Sequence, residues 1–283
     1  MKRFTSFSGL ISLLLISCTG FCQDTLDLFR DRPGSLIYWS ESRSTPRPLR
    51  IYYLKVALNH SGLEVITLPG EDPDGPGPAE SQLTAPEDLF KKFHALAAVN
   101  ANAFAGLSND KAPGPSWFEG RPVDMYGIVA SAGKIISPFE NCRTPFWLDT
   151  LQKPHIGVPA GPGTVMEAVS DWFSPLLIEG KIIPDSTDHV LHPRTAVGFD
   201  STGDWVLMVV VDGRQAGFSE GVSLYELAQN LQSQGCSESI NLDGGGSSIM
   251  LIEEPGKEVR TVNSPSDKSH RPVPVMLGVR KLD

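Results

Sequence analysis

The sequence predicts an α+β fold, in which a single domain has a mixed, largely antiparallel sheet with a few helices packed on it. Apolar runs of strand length outnumber amphipathic segments of helical length by roughly three to one. The helical segments occur singly between strands, which is typical of helices that cover a sheet. The chain has 283 residues and shows no internal repeat or dividing linker, so we expect one sizeable core.

The first 22 residues predict export. Lys2 and Arg3 precede a short apolar stretch at residues 9–16, which cannot span a bilayer. The residues that end at Cys18 resemble a bacterial lipobox, in which Cys18 would carry a lipid that tethers the protein to a membrane. Cleavage after Cys22, which would release a secreted chain, is the alternative. We therefore expect a periplasmic or cell-surface lipoprotein, or a secreted protein.

The composition narrows the range of partners. The formal net charge is −9, and removal of the basic residues of the targeting segment makes the rest more acidic. An acidic surface argues against a nucleic-acid partner, which would need a broad basic surface. Two cysteines remain after residue 22, Cys142 and Cys236. Export would permit a disulfide between them, but their spacing does not show whether they meet.

Residues 23–48 are polar and rich in proline, and we interpret them as a lead-in to a domain at residues 49–283. Strands are predicted, in order, at residues 36–39, 49–58, 63–68, 97–104, 125–130 and 134–137. A surface loop is expected at residues 69–83. Between these elements, Thr84 and Glu87 have the spacing of a capping box, which marks the start of a helix. The predicted apolar face of this helix is Leu89, Phe93, Leu96 and Ala97.

The second half of the chain continues this alternation. Thr164 with Glu167, and Ser223 with Glu226, predict two further capped helices. The first would have an apolar stripe of Val165, Val169, Trp172 and Phe173. The second would end at Gly235. Strands are predicted at residues 176–178, 181–183, 194–199, 205–211, 240–242, 248–252 and 273–282. The run at 205–211 is apolar throughout, so we expect a central strand that is buried on both faces.

The strands at 240–242 and 248–252 flank an unusual turn, in which Asp243 is followed by three glycines and two serines. A tight hairpin is one interpretation, since Asp-Gly turns commonly connect antiparallel strands. The other interpretation is functional. Glycines allow a close approach of the backbone to a ligand, and consecutive N–H groups can form an anion-binding nest.

Polar clusters follow or precede several apolar strands. If the strand ends share one rim, it would combine carboxylates, arginines, amides and hydroxyls. Such a set suits a phosphorylated sugar, because arginines bind phosphate oxygens and paired carboxylates can cleave a glycosidic bond. The clusters are Asn100 with Asn102, residues 192–195, residues 212–214, residues 241–248, and residues 263–271.

In this order, the motifs around Asn100, Arg194, Asp212 and Asp243, followed by Asn263 and Arg271, resemble the phosphodiester glycosidase family. The resemblance covers roughly residues 90–281, and its most specific part is the last third of the chain. It implies an exported glycosidase that hydrolyses a sugar-1-phosphodiester, similar to an N-acetylglucosamine-1-phosphodiester, at the anomeric C–O bond.

The resemblance also suggests roles for individual residues. Asp243 and Asp212 are the catalytic candidates, as acid, base or nucleophile. Arg194, Arg214 and Arg271 would hold phosphate or carboxylate. The remaining predicted substrate contacts are Asn100, Asn102, Thr195, Asn241, Gly244, Gly245, Gly246, Ser247 and Ser248, of which Gly245, Gly246 and Ser247 would line the nest. We interpret His189 and His192 as loop histidines.

Two other functions stay open at this point. A metal-dependent phosphodiesterase would cut the P–O bond with a divalent cation at the acidic rim, whereas the glycosidase requires no cofactor. A non-catalytic envelope protein would bind a phosphoglycan without turnover. The partner in each case is a glycosyl phosphodiester or a phosphoglycan.

Overall fold

The computed structural model describes residues 21–59, 62–107, 117–139, 144–159, 161–169, 174–267 and 269–282. Two large antiparallel sheets face each other across the main core, and one helix packs on the outer face of each sheet. The helices are α1, Pro86–Lys92, and α2, Leu224–Ser233. Short 3-10 helices occur at Pro162–Thr164 and Gly245–Ser247.

The strands of the first half of the chain are β1 Phe21–Asp27, β2 Leu36–Arg43, β3 Leu49–Ala57, β4 Leu63–Pro69, β5 Ser81–Gln82, β6 Ala95–Asn100, β7 Phe104–Gly106, β8 Pro122–Met125, β9 Val129–Ser131 and β10 Lys134–Ser137. The strands of the second half are β11 Phe146–Leu148, β12 Pro154–Ile156, β13 Glu167–Val169, β14 Pro175–Ile178, β15 Lys181–Ile182, β16 Arg194–Phe199, β17 Trp205–Val211, β18 Glu238–Asn241, β19 Met250–Glu253, β20 Val259–Thr261 and β21 Val275–Lys281.

The first sheet has the strand order β1-β2-β3-β17-β16-β18-β14-β15, and the second has the order β20-β19-β6-β21-β4. Two smaller sheets, β10-β9-β13-β11-β12 and β5-β8-β7, flank them. The strand pairs in the described residues are antiparallel. The predicted α+β class is therefore confirmed, with the strands distributed over several sheets. Residues 23–48, interpreted above as a lead-in, include β2, which pairs with β3 along its whole length.

Strand β17 explains the position of the main core. Val206, Met208 and Val210 point into the space between the two large sheets. The alternate residues Leu207, Val209 and Val211 pack on the outer side, where α2 covers them. The continuous apolar run is thus buried on both faces, as predicted, because side chains of a strand alternate between its two faces. In the second sheet, Leu89 and Phe90 of α1 cover the outer face in the same way.

The glycine turn does not connect neighbouring strands. Strand β18 pairs with β16 and β14 in the first sheet, whereas β19 pairs with β6 and β20 in the second sheet. The hairpin interpretation is therefore wrong. We call residues 243–248 the glycine loop, and this loop carries the chain from one sheet to the other across the main core.

One predicted capping box is confirmed. The Ser223 Oγ accepts a hydrogen bond from Glu226 N at 3.2 Å, and the Glu226 carboxylate accepts one from Ser223 N at 3.0 Å. Helix α2 then ends before Gly235, whose φ of +92° is the left-handed conformation that terminates a helix.

The Thr84 capping box is wrong. Thr84 N instead donates to Val273 O at 3.0 Å in an isolated bridge to the segment that precedes β21. The helix starts at Pro86, whose fixed φ suits the first helical position. It ends at Lys92, so that Leu96 and Ala97 belong to β6 rather than to a helical face.

The helix predicted from Thr164 and Glu167 is also wrong. Glu167 begins β13, which pairs with β11. The Glu167 carboxylate accepts hydrogen bonds from Thr67 N at 2.7 Å and from Ala132 N at 2.8 Å. These contacts to distant backbone groups outweigh the local helical pattern, since tertiary context overrides propensity. Trp172 and Phe173, the end of the predicted stripe, lie outside the described residues.

Cys236 is a buried, free thiol, and Cys142 and Cys18 lie outside the described residues. None of the helices in the described part of the chain is long and apolar enough to cross a membrane.

We predict that Ser223→Ala lowers the free energy of unfolding by about 1 kcal/mol, because it removes the side-chain acceptor at the N-terminus of α2. Urea denaturation measures this change. Thr164→Ala is the matched control, since the exposed Thr164 hydroxyl caps no α-helix, and its effect should stay within about 0.5 kcal/mol. Equal losses in the two variants would contradict the capping assignment.

Candidate active site at the junction of the two sheets

The Asn100 side chain joins both sheets to the glycine loop. Asn100 ends β6 of the second sheet and is 1% exposed. Its Nδ2 donates to Asp243 O at 2.6 Å, and its Oδ1 accepts from Ile249 N at 3.1 Å, so it holds the loop at both ends. The same Oδ1 accepts from the Thr195 hydroxyl of β16 at 2.7 Å. The glycine loop is thereby fixed against the two large sheets at once.

Backbone contact also fixes the glycine loop to the start of β16. Gly245 N donates to Pro193 O at 3.0 Å. A Cβ atom at Gly244 would lie 2.7 Å from the same carbonyl oxygen, which is closer than real Cβ contacts allow. Gly245 has a φ of +64°, a conformation that favours glycine. Glycines at these two positions are therefore required by the close approach and by the turn.

Asp243 is the accessible carboxylate of the loop. It is partly exposed, and its Oδ1 accepts from Gly244 N at 2.9 Å. Desolvation by burial raises the pKa of the Asp243 carboxyl to about 6. A hydrogen bond from Ser247 and the positive charges of Arg271 and Arg214 oppose this rise. A carboxyl with a pKa near neutrality can exchange its proton during a reaction.

Asp212 has a different environment. It is 1% exposed, and its carboxylate accepts hydrogen bonds from Tyr52 Oη, from Asn263 Nδ2 and from Ser264 N, all at 3.0 Å. Burial raises its pKa to about 6, although these donors and Arg50 favour the charged form. The donors occupy both oxygens, so the observed contacts of Asp212 hold protein groups together.

This buried network extends to the far end of the glycine loop. Asn263 Nδ2 also donates to Ser248 O at 3.0 Å, and its Oδ1 accepts from Met250 N at 2.9 Å. Gln215 Nε2 donates to Ser264 O at 2.7 Å. Sequence reasoning did not assign roles to Tyr52, Asn263, Ser264 or Gln215. The sequence evidence that could have indicated such roles was the position of Asn263 within, and of Gln215 beside, a polar cluster.

Arg271 forms an ion pair with Asp267. Its Nε and Nη2 donate to one oxygen of Asp267 at 3.0 and 2.8 Å, and its Nη1 lies 3.5 Å from Ser247 Oγ. The pair closes over Gly246, where a Cβ atom would collide with both side chains. The sequence analysis did not predict a role for Asp267, although its position four residues before Arg271 is compatible with an ion pair between them.

Arg214 lies on the other side of the loop. It is exposed and has a φ of +60°. Its guanidinium lies over Gly245, with Nη1 at 3.1 Å from the position of a Cβ on that glycine. Its Nη2 approaches His192 Nδ1 at 3.3 Å. Arg194 is half-buried, and its guanidinium donates to Val222 O and Val190 O at 3.4 Å each.

Four backbone N–H groups of the glycine loop have partners within the chain, and the predicted anion-binding nest stays a prediction. The N–H groups of Gly245, Ser247 and Ser248 donate to carbonyl oxygens of Pro193, Gly244 and Gly245. The N–H of Gly244 donates to Asp243 Oδ1. These four donors are already in use, so the neighbouring positive side chains are more available to an anion than these four backbone groups.

Besides Asn100 and Ser247, which are each 1% exposed, four further polar side chains among the predicted substrate contacts lie below the surface. Asn102, Thr195, Asn241 and Ser248 are each at most 2% exposed. Asn102 Nδ2 donates to Tyr126 O at 3.0 Å, and Asn241 Nδ2 donates to Leu242 O at 2.6 Å. Within the described residues, Asn102 Oδ1, Asn241 Oδ1 and Ser248 Oγ are buried without a hydrogen-bond partner. A substrate role for these four residues stays a prediction.

Several of the predicted residues form a cluster, in which Asn100 joins Thr195 to Asp243, and Asp212 reaches the far end of the glycine loop through Asn263. His189 lies apart from it. The described residues bring no group of three or more His, Cys, Asp or Glu side chains into an arrangement that could hold a metal ion. A cavity of about 400 Å³ beside α2, lined by residues such as Arg47, Leu49 and Asn230, contains none of the predicted site residues.

Comparison with known proteins points to one family. The sequence model of the phosphodiester glycosidase family matches residues 93–280. A segment of 64 residues is 42% identical to bovine N-acetylglucosamine-1-phosphodiester alpha-N-acetylglucosaminidase and covers 23% of this chain. A segment of 75 residues is 39% identical to an uncharacterized SPbeta prophage-derived protein of Bacillus subtilis and covers 26% of this chain. The matched segments span only 12% and 11% of the lengths of these two curated relatives.

Solved structures share the fold. The catalytic domain of zebrafish N-acetylglucosamine-1-phosphodiester alpha-N-acetylglucosaminidase, in a form auto-inhibited by its pro-peptide, has a TM-score of 0.64 at 20% identity. The similarity covers 92% of this chain and 88% of that one. A hypothetical protein from Synechocystis has a TM-score of 0.62 at 14% identity, with 87% of this chain and 62% of the other covered.

The environments of the two aspartates predict different effects of their replacement on the free energy of unfolding. Asp212→Asn should lower the free energy of unfolding at pH 7.5 by about 2 kcal/mol or more, because the new NH₂ group would face the donors Asn263 or Ser264. Asp243→Asn keeps an oxygen for Gly244 N–H and removes a carboxylate that burial disfavours. We expect its stability to stay within about 1 kcal/mol of wild type or to rise.

Urea denaturation of both variants, with circular dichroism as the readout, measures these differences. If Asp212→Asn unfolded at the same urea concentration as wild type, the structural role assigned to Asp212 would be incorrect.

Proposed function

The chain belongs to the phosphodiester glycosidase family, and from that premise we propose that it is an exported hydrolase that cleaves a sugar-1-phosphodiester at the anomeric C–O bond. The observation that carries this proposal is Asp243, a partly exposed carboxylate near Arg214 and Arg271, whose pKa is raised to about 6. This arrangement offers an anionic group for the sugar and cations for the phosphate.

The chemistry of the bond determines what the site must supply. Water adds to the anomeric carbon, the C–O bond breaks with its electron pair going to oxygen, and a phosphate monoester leaves. The charge on the phosphate thus grows from −1 toward −2 while the sugar becomes oxocarbenium-like. Cations beside the phosphate therefore stabilise the transition state more than the bound substrate.

In this proposal Asp243 acts as a carboxylate. It stabilises the positive charge on the sugar, as a nucleophile or as the base for water. A phosphate leaves readily without being protonated, so strong acid catalysis is not needed. Arg194 and Arg214 hold the phosphate, since their guanidinium groups offer donors to its oxygens. Arg271, which is paired with Asp267, orients Ser247 and lies within electrostatic range of Asp243.

The network around Asp212 has a supporting role in this proposal. It fixes Ser248 through Asn263, and so holds the loop that carries Asp243. The mechanism then contains one catalytic aspartate, and it requires no metal ion or other cofactor. The names of the bovine and zebrafish relatives favour an N-acetylglucosamine-1-phosphodiester as the first substrate to test.

We predict that UDP-N-acetylglucosamine or a synthetic N-acetylglucosamine-1-phospho-mannoside is hydrolysed in oxygen-18 water with the label entering the released sugar. Asp243→Asn should reduce turnover at least about 100-fold, the usual contribution of a positioned carboxyl group. Mass spectrometry of both products measures the position of the label. His189→Gln, a change in an exposed residue outside the cluster, is the control and should keep wild-type turnover.

The location of the label separates the alternatives. Label in the phosphate, with loss of activity in chelator, would support P–O cleavage by a metal-dependent phosphodiesterase. Binding of the glycosyl phosphodiester without turnover would support a non-catalytic phosphoglycan-binding protein.

The pH profile tests the form in which Asp243 acts. If the carboxylate is the active form, kcat/KM should be highest above pH 6 and fall about tenfold per pH unit well below it, as Asp243 takes up a proton. Because Asp212 also has a raised pKa of about 6, the carboxyl ¹³C titration of wild type and Asp243→Asn should be compared to assign the Asp243 signal. Activity that falls above pH 6 instead would identify Asp243 as a general acid.

A further inference from the structure

Three positive or polar side chains lie together beside the glycine loop. Arg214 Nη2 lies 3.3 Å from His192 Nδ1, and Arg194 follows two residues later at the start of β16. We call His192, Arg194 and Arg214 the cationic cluster. Through Arg214, which lies over Gly245, it borders the part of the loop that contains Asp243.

Among the described residues, no ion pair neutralises the charge of the two arginines of the cluster. Within the part of the chain that the structure describes, neither Arg194 nor Arg214 has a carboxylate within 4.0 Å, whereas Arg43, Arg47 and Arg271 each do. The charged groups that face His192 are the two arginines and, from the preceding loop, Asp188. Arg194 is half-buried, and desolvation lowers its pKa. The charge of Asp188 opposes this shift and outweighs the smaller effect of Arg214, so an anion at this point would offset the cost of burying the guanidinium group.

The contact with Arg214 determines which nitrogen of His192 carries the proton. A guanidinium can only donate, so Nδ1 must accept. The proton of the neutral ring is therefore on Nε2. Partial burial and the charges of Arg194 and Arg214 lower the pKa of His192, which favours this neutral form at pH 7. His192 thus offers one N–H donor beside two guanidinium groups.

The backbone holds His192 in place relative to the catalytic loop. His192 N donates to Val222 O at 3.2 Å, and Val222 N donates to His192 O at 3.1 Å. The next residue, Pro193, accepts the hydrogen bond from Gly245 N. A donor that is fixed in this way loses little freedom when a ligand binds, which favours affinity.

We propose that the cationic cluster is the phosphate site of this protein and that His192 donates a hydrogen bond from Nε2 to a phosphate oxygen. The identity of the natural ligand, a glycosyl phosphodiester substrate or its phosphate monoester product, rests on the proposed function. Binding of a phosphate group does not depend on that function and can be measured without turnover.

Isothermal titration of the full chain with inorganic phosphate, at pH 7.5 and constant ionic strength, tests this proposal. His192→Phe removes the donor but keeps a flat ring, and we expect it to weaken phosphate binding about tenfold or more, as for loss of a hydrogen bond to a charged group. His192→Gln places an amide N–H near the position of Nε2 and should keep binding within about threefold of wild type. His189→Phe is the matched control in the same loop, where His189 is exposed and acts electrostatically on Glu226 of α2.

A second readout separates a binding role from a structural one. In ¹⁵N spectra of the imidazole groups, wild-type His192 should show the Nε2–H tautomer and shift when phosphate is added, while His189 should not. Unfolding temperatures of all variants are measured in parallel, because a structural role would make phosphate affinity follow stability.

Equal phosphate affinity of wild type and His192→Phe would overturn the role of His192. We expect a Kd for phosphate of about 1 mM. If the wild-type protein binds no phosphate at about 20 times that concentration, the site itself would be overturned. Hydrolysis of a glycosyl phosphodiester by a protein that fails this test would leave the proposed function intact, whereas phosphate binding without hydrolysis would support the site alone.

Discussion

The carboxamide of Asn100 is the interaction on which the candidate active site depends. Asn100 is 1% exposed. Its carboxamide binds the carbonyl of Asp243 before the glycines, the N–H of Ile249 after them and the hydroxyl of Thr195. Without it, the buried N–H of Ile249 and the buried hydroxyl of Thr195 would lose this partner, which is costly. The glycine loop runs between two sheets and gains no support from a strand ladder of its own. Its shape is therefore imposed by side-chain hydrogen bonds, with Asn100 at one end and the Asp212–Asn263 network at the other.

Hydrogen-bond partners, more than local sequence, distinguish the two aspartates that precede glycines. Asp212 and Asp243 occur in similar local sequences, and burial raises the pKa of each to about 6. Asp212 lies inside a shell of donors, whereas Asp243 reaches the surface near two arginines. Environment can thus give two carboxylates different roles within one site. The arginines divide in a similar way, because Arg271 is paired with Asp267, whereas Arg194 and Arg214 have no ion-pair partner among the residues that the structure describes.

The sequence predicted those features that depend on short-range patterns. Strand β17, the capped start of α2 and the glycine loop follow from a continuous apolar run, from one capping box and from composition. Features that depend on distant partners were missed or misinterpreted. Glu167 has the spacing of a helix cap, but its carboxylate is bound by backbone groups near residues 67 and 132. The structural use of Asp212 depends on Asn263, 51 residues later, and no local pattern could show that contact.

The position of the positive charge of Arg214 requires a strained backbone. Its backbone has a φ of +60°, a left-handed conformation that disfavours a residue with a side chain by about 1–2 kcal/mol. Glycine would relieve this strain but would carry no guanidinium. A lineage that no longer needed an anion at this point could therefore gain stability through Arg214→Gly by one substitution. In homologous sequences, the identity of this single residue would report whether selection still favours charge over stability.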